Sequence, residues 1–316
     1  MTESVTTIGV LYPGELGSVL AKSLTARGYR VVTTLAGRSP RTVRLCTAGD
    51  IEILASLAEV KEVANIILST VVPAAATRVA ESYCVCGPRT DQALYVDLNS
   101  ISPMTAGHIV SQLSAARVDC VDGTIHGLAA QLHQRGTLYL SGDQAERIAA
   151  LFDGVLRTKL LSPVPGAASA FKMMLGGMSK GLVALFMELC LAARAADVLD
   201  ELLADFDYYY PGVMTVMQRL LPTYPLHASR RADELLEVQR TMLHQGLEAN
   251  MVGAAQRLIA AIGDMQLSER PNDESPWEIR DIVEQVHLRQ AFHAVKQSEG
   301  TTPAELTQTV FSTSSS

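Results

Sequence analysis

Short apolar runs rich in β-branched residues alternate with amphipathic stretches through the first half of this 316-residue chain. That alternation constrains the fold more than any other feature of the sequence. Val5–Leu11, Arg30–Leu35, Ala64–Val72 and Ala93–Leu98 are the principal runs, and the third ends at Pro73. Between them Glu15–Arg27, Arg41–Ala48, Ala75–Ser82 and Pro103–Ala116 read as helices. In the first of these Leu16, Val19, Leu20 and Leu24 fall on one face. Ile51–Ser56 reads as a short strand and loop, and Arg117–Val121 and Thr137–Ser141 as two further short strands. Strands that are apolar almost throughout must be covered on both faces, so the pattern predicts a parallel sheet flanked by helices.

The pattern changes at Ser162-Pro163-Val164-Pro165-Gly166, where two prolines and a glycine end the preceding structure. A long helix is expected from about Ala167 to Leu203, and everything from there to about Gln297 reads as helical apart from proline-bearing turns at Pro211, Pro222, Pro225 and Pro271–Pro276. The expected organisation is therefore an α/β domain over 1–162, an all-α domain over 163–297, and a loosely held Ser/Thr-rich tail over 298–316.

Composition narrows the function classes. Hydrophobic residues make up 48% of the chain and charged residues 19%, which suits a packed globular protein. A net charge of -7 argues against nucleic-acid binding, which needs a basic face. No apolar run reaches the roughly 18 residues that span a bilayer, so no membrane segment is expected. The start of the chain, Met1–Thr7, is polar and lacks the basic, apolar layout of a signal peptide, and a cytoplasmic location is expected. The five cysteines (Cys46, Cys84, Cys86, Cys120 and Cys190) lack metal-ligand spacing and read as free thiols. Glu237, His244 and Glu248 share a helical stripe without completing a ligand set, and no metal is expected.

The first strand runs into Tyr12-Pro13-Gly14-Glu15-Leu16-Gly17, and a helix follows. This is a G-x-G-x-x-G frame with Tyr12 in the first glycine place. Gly14 lets the backbone approach a diphosphate, Gly17 lets the helix pack close to the strand, and the helix N-terminus supplies amide donors. The strand–turn–helix context makes this a dinucleotide site, with Tyr12, Pro13, Gly14, Glu15 and Leu16 as cofactor-binding candidates. Enzymes that use NAD usually end the second strand on an acid for the ribose 2′-hydroxyl. Here the stretch is Thr33-Thr34-Leu35-Ala36-Gly37-Arg38-Ser39, with no acid. Arg38 can pair bidentately with a 2′-phosphate and Ser39 can donate to it, so NADPH/NADP+ is the expected cofactor. The competing reading is a solvated arginine in a turn.

Four stretches in order, Ile8–Gly17, Val96–Pro103, Val121–Gly127 and Gly166–Met173, resemble the β-hydroxyacid dehydrogenase superfamily. That group includes 3-hydroxyisobutyrate and 6-phosphogluconate dehydrogenases and imine reductases. The chain looks most like 6-phosphogluconate dehydrogenase-like bacterial proteins with a distinctive helical C-terminal domain. The resemblance covers the first two-thirds of the chain. It implies a Rossmann domain with a doubly wound parallel sheet, a long interdomain helix and a helical domain over 163–297 that serves substrate binding and dimerisation, assembled as a homodimer with exchanged or interlocked helical domains.

By the same resemblance, Thr70, Val71 and Val72 line the cofactor near its nicotinamide ribose, Asn99 sits beside the nicotinamide, and Lys172 holds the place of the catalytic lysine. A lysine there can give a proton to a carbonyl oxygen as hydride arrives, or take one from an alcohol in reverse. Ser100, His126, Gly127 and Lys180 are substrate-binding candidates. Lys180 lies two turns beyond Lys172 on the same face, where it either binds a carboxylate or phosphate or faces water. Two positions depart from the family. Leu175 and Gly176 stand where an asparagine usually follows the lysine. In Ile125-His126-Gly127, His126 replaces the serine of a substrate-binding element, where it serves as an anion or proton group or as a structural hydrogen-bonder. Both departures point away from a small hydroxyacid such as 3-hydroxyisobutyrate. The aromatic run Tyr208-Tyr209-Tyr210 fits either a substrate pocket or an interface.

The leading expectation is an NADPH-dependent reductase of a carbonyl, or the dehydrogenase of the matching β-hydroxyacid. An imine reductase is the alternative, although many of these carry Asp or Tyr in place of Lys172. A non-catalytic NADPH-binding protein is a third, supported only by the missing asparagine.

Overall fold

The structure is a computed structural model, which describes residues 6–38, 40–47, 51–86, 93–127, 129–267 and 277–299. Two compact units divide between Leu175 and Gly176.

The first unit alternates strands and helices in chain order: β1 (Thr7–Leu11), α1 (Glu15–Ala26), β2 (Arg30–Thr34), α2 (Pro40–Thr47), β3 (Glu52–Leu54), α3 (Leu57–Val63) and β4 (Ile66–Ser69). It continues with α4 (Ala76–Val85), β5 (Leu94–Asp97), α5 (Pro103–Ala115), β6 (Asp119–His126), α6 (Leu132–Arg135), β7 (Thr137–Ser141), α7 (Ala145–Leu151) and β8 (Arg157–Ser162). The sheet order is β3-β2-β1-β4-β5-β6-β7-β8. Every neighbouring pair is parallel except β6 and β7. This is the doubly wound sheet that the apolar strands implied. Every residue of β1, β4, β5 and β7 is buried, as expected of strands covered on both faces. One core lies on each face: Ile8, Val10, Leu20, Leu24, Leu68 and Val96 belong to one, and Leu11, Val32, Ile67, Tyr83, Tyr95 and Ile109 to the other.

Two strands differ from the sequence expectation. β6 continues to His126, well beyond Val121, because its second half pairs antiparallel with β7, from Asp122↔Ser141 to His126↔Thr137. β8 forms the far edge of the sheet, and its mostly exposed Arg157-Thr158-Lys159-Leu160-Leu161-Ser162 lacks the apolar signature of the interior strands.

The helical elements that follow are α8 (Ala167–Ala195), α9 (Leu199–Tyr209), α10 (Pro211–Leu220), α11 (Tyr224–His244), α12 (Asn250–Asp264) and α13 (Ile279–Glu299). The long helix stops short of Leu203. Asp197 takes a left-handed φ of 60° and the Val198 amide donates back to the Ala193 carbonyl at 2.9 Å, a left-handed helix end without glycine. Among the described helices α8 is by length and composition apolar enough to cross a membrane, which the sequence reading had not expected. Its Val183, Phe186, Met187 and Cys190 are buried with Met217, Leu221, Leu235, Ile259 and Val283 in the core of the second unit, as in the core helix of a globular protein. α11 ends at His244 and Gly246 turns the chain with a φ of 75°, so Glu248 leaves the helical stripe it was expected to share with Glu237 and His244. Residues 300–316 of the expected tail lie outside the described residues.

Candidate functional site

The carboxyl ends of β1, β4 and β5 are brought level by their register, with the middle of β6 beside them: Leu11 pairs with Ser69, Ser69 with Asp97, and Asp97 with Asp122. The segments that leave these strands therefore emerge along one edge, where parallel α/β sheets bind ligands. Tyr12–Leu16, Thr70–Val72 and Asn99–Ser100 all lie there. β6 runs four residues past that level before it reaches His126, about 13 Å at strand rise.

At the β1–α1 turn Gly14 is the helix N-cap, and with no side chain it leaves the first-turn amides of α1 uncapped. A Cβ added at Gly14 would meet nothing within 4 Å. At Gly17 it would come within 2.3 Å of Thr70 Oγ1 and 3.0 Å of Pro13 Cβ. One glycine thus keeps space open above a helix N-terminus, and the other lets the helix lie against the end of β4. Thr70 Oγ1 is buried there without a hydrogen-bond partner among the described residues. Open space, uncapped amides and an orphaned hydroxyl fit the diphosphate of a dinucleotide. Glu15 is exposed and makes a long 3.5 Å ion pair with Arg41. Beside this turn the Arg38 guanidinium lies over the Tyr12 ring, 4.2 Å from its centroid. Among the described residues no acid follows β2 before Arg38. Ser39 lies outside the described residues.

Asn99, expected beside the nicotinamide, is 2% exposed. Its Oδ1 accepts from the Val71 amide at 2.7 Å, and its Nδ2 donates to Ser69 Oγ and to Asp97 Oδ2, both at 3.0 Å. Its backbone amide donates to Asp97 Oδ1 at 2.9 Å. The Asn99 amide is spent inside the protein, so its work is to fix the backbone at Val71, while Val72 is exposed. Burial pushes the Asp97 carboxyl up to about 7 against the pull of the Asn99 hydrogen bonds, and the Asp122 carboxylate adds to the rise.

Lys172 sits in the second turn of α8, and its Nζ donates to the Ile125 carbonyl at 2.6 Å. That bond places it beside His126 and Gly127, which are both exposed. Asp122 holds the helix to the strand. Its Oδ2 accepts from the amides of Gly166 and Ser169 at 2.9 and 3.1 Å and from Ser141 Oγ at 2.8 Å, and its Oδ1 accepts from Ser169 Oγ at 2.6 Å. Ser141 Oγ in turn accepts from the Ala168 amide at 3.0 Å. A carboxylate at a helix N-terminus is favoured by its amides and dipole, and here it orients α8 and hence Lys172. Sequence reading did not single out Asp97, Asp122, Ser141 or Ser169. Their only signal was an acid in each of two buried strands.

Lys180 belongs to the second unit. Its Nζ lies 2.9 Å from Glu234 Oε2 and donates to the Gly176 carbonyl at 3.3 Å. Burial pushes the Glu234 carboxyl up, but the charges of Lys180, Arg230 and Arg231 outweigh it and hold the group below the usual carboxylate range. A substrate anion at Lys180 would have to compete with that carboxylate. Tyr208, Tyr209 and Tyr210 are all largely exposed, at the end of α9 and just after it.

Comparison with known proteins agrees with this geometry. Residues 5–155 match the NAD binding domain of 6-phosphogluconate dehydrogenase, and residues 193–262 match a domain of unknown function (DUF1932). A conserved hypothetical protein from Sinorhizobium meliloti 1021 is 26% identical, with a TM-score of 0.72 over 91% of this chain and 97% of that one. A conserved protein described as structurally similar to 3-hydroxyacid dehydrogenases is 27% identical, with a TM-score of 0.69 over 83% of this chain and 100% of that one. The 3-hydroxyisobutyrate dehydrogenase of Mycobacterium tuberculosis, solved with L-serine, shares the fold at 14% identity, with a TM-score of 0.71 over 90% of this chain and 99% of that one.

Proposed function

This chain belongs to the β-hydroxyacid dehydrogenase superfamily, and we propose that within it the protein is an NADPH-dependent oxidoreductase acting on a carbonyl or β-hydroxyacid-type small molecule. A nicotinamide cofactor and oxidoreductase chemistry are properties of the family. The preference for NADPH, the substrate class and the residue roles are our reading. The observation that carries it is the Lys172–Ile125 bond, which holds an ammonium on the part of β6 that extends beyond the strand ends where the cofactor-binding segments begin.

When bound, the cofactor supplies or accepts the hydride. The uncapped amides of α1 and the open face of Gly14 hold its diphosphate, Arg38 meets the 2′-phosphate, and the Val71 backbone, fixed by Asn99, lines the nicotinamide end. Lys172 Nζ gives a proton to the substrate oxygen in reduction and takes it back in oxidation. Ser100, His126 and Gly127 bind the remainder of the substrate. A homodimer is part of the proposal: Met174, Met178, Leu185 and Leu189 form an exposed apolar stripe on one face of α8.

The test is a panel of aldehydes, ketones, β-ketoacids and cyclic imines, assayed by loss of reduced-nicotinamide absorbance. Turnover of a carbonyl that is lost in Lys172→Ala supports the proposal. Turnover of imines alone would replace it with imine reduction. Tight NADPH binding with no turnover of any compound would make the protein a non-catalytic dinucleotide binder.

A further inference from the structure

Tyr12 occupies a position where the nucleotide-binding frame has glycine, and its backbone φ is 49°, in the left-handed region that a bulky side chain rarely adopts. A fold that keeps an aromatic residue there holds it against a local backbone cost. The ring is partly buried against the core that holds Leu11 and Val32. It reaches from the end of β1 to the turn after β2, the neighbouring parallel strand, and lies under the Arg38 guanidinium at 4.2 Å. Arg38 is otherwise exposed, and among the described residues its Nε makes only a long 3.5 Å bond to the Ala36 carbonyl. A guanidinium held over a ring by a cation–π contact keeps its N–H donors available to fork around a phosphate.

We infer that Tyr12 is the residue that sets the dinucleotide preference, by holding the Arg38 guanidinium in the orientation that receives a 2′-phosphate. The inference rests on the NADPH reading above and adds the device behind it. Arg38 alone would bind the phosphate from a mobile side chain. On the Tyr12 ring it is ordered before the cofactor arrives, so less rotamer freedom is lost on binding. NADH carries no charge at this place and is indifferent to the contact. Tyr12 is thus a positioning residue, acting through Arg38.

The experiment titrates NADPH and NADH into the full chain and into Tyr12→Phe, Tyr12→Gly and Tyr12→Asn. Glycine and asparagine both accept a left-handed φ, so two ringless variants guard against loss of folding in one. Tyr12→Phe should keep the wild-type preference. The ringless variants should lose about tenfold in the ratio of NADPH to NADH affinity, the combined effect of a cation–π contact and an unfrozen side chain. In the cofactor-free protein, the Arg38 Nε–H resonance should carry a ring-current shift in the wild type and Tyr12→Phe and lose it in Tyr12→Gly. Wild-type selectivity in both ringless variants, or no ring-current shift in the wild type, would overturn the inference and leave the NADPH reading standing. Equal wild-type affinity for NADPH and NADH would overturn both.

Discussion

Asp97 holds Asn99 twice, accepting its backbone amide on one carboxylate oxygen and its side-chain amide on the other, at 2.9 and 3.0 Å. Removing the carboxylate leaves buried donors unsatisfied, at about 1–3 kcal/mol each. Asp97→Ala is expected to lower stability by that order and to loosen the Val71 backbone that Asn99 fixes. Chemical denaturation and cofactor titration check the two effects together. Unchanged stability and affinity would remove Asp97 from the site.

The same carboxyl gives the site a pH dependence. Burial first, and the Asp122 charge after it, raise Asp97 from 3.8 to about 7 against the Asn99 hydrogen bonds. The ionised form accepts both Asn99 donors more strongly than the neutral carboxyl, so cofactor affinity should weaken as pH falls through about 7. Stability runs the other way. A carboxyl with a raised folded-state pKa stabilises most below its unfolded value of 3.8, and that contribution is lost as pH rises through about 7. Titrations of wild type and Asp97→Asn at pH values on both sides of 7 separate this from protonation of the cofactor's own phosphate, which affects both proteins alike. Parallel pH profiles would refute the assignment.

Gly14 and Gly17 should respond in opposite ways. A methyl at Gly14 meets nothing within 4 Å, and its φ of -81° suits alanine, so Gly14→Ala should fold with wild-type stability. It should also lose at least about tenfold in dinucleotide affinity, because the methyl fills the space proposed for the diphosphate. Gly17→Ala drives a methyl onto Thr70 Oγ1 and should cost about 1–3 kcal/mol of stability. Thermal melts and binding isotherms of both variants decide; normal cofactor affinity in Gly14→Ala would contradict the proposed location.

Lys172→Ala is expected to reduce turnover by about 10²–10⁴-fold, the usual range for a positioned proton donor, with dinucleotide affinity nearly intact. Single-turnover kinetics with a saturating cofactor measure the step directly. Near-normal turnover would take Lys172 out of the mechanism.

In solution the protein should be a dimer. Met178→Glu, which places a charge in the exposed apolar stripe of α8, should shift it towards monomer. Light scattering coupled to size-exclusion chromatography reads both. A wild-type monomer at every concentration would refute the assembly.

Much of the first unit was legible because its signals are local. The glycine spacing in Tyr12–Gly17, the apolar strands and the break at Ser162–Gly166 each act within a few residues. What escaped notice depends on distant partners or on edges. The roles of Asp97 and Asp122 exist only once β5, β6 and α8 are assembled; Ser169 bonds Asp122 across 47 positions. β8 is an edge strand with Arg157 and Lys159 in it, so it lacks an interior strand's composition. The stop after α8 uses Asp197 in a left-handed conformation where a glycine would have announced it. Lys180 was placed on the correct helix, but its pairing with Glu234 joins two helices and could not be read from spacing. The nucleotide turn was thus readable from the sequence, and the hydrogen bonds that hold Asn99 and Lys172 were not.

The central claim is tested most directly by titrating NADPH and NADH into the wild-type protein and Arg38→Ala at one ionic strength. The account expects NADPH to bind the wild type at least about tenfold more tightly than NADH, since a bidentate charge-assisted contact is worth about that much. Arg38→Ala should bring the two affinities together by weakening NADPH alone. Equal affinities in the wild type, or an undiminished preference in Arg38→Ala, would contradict it.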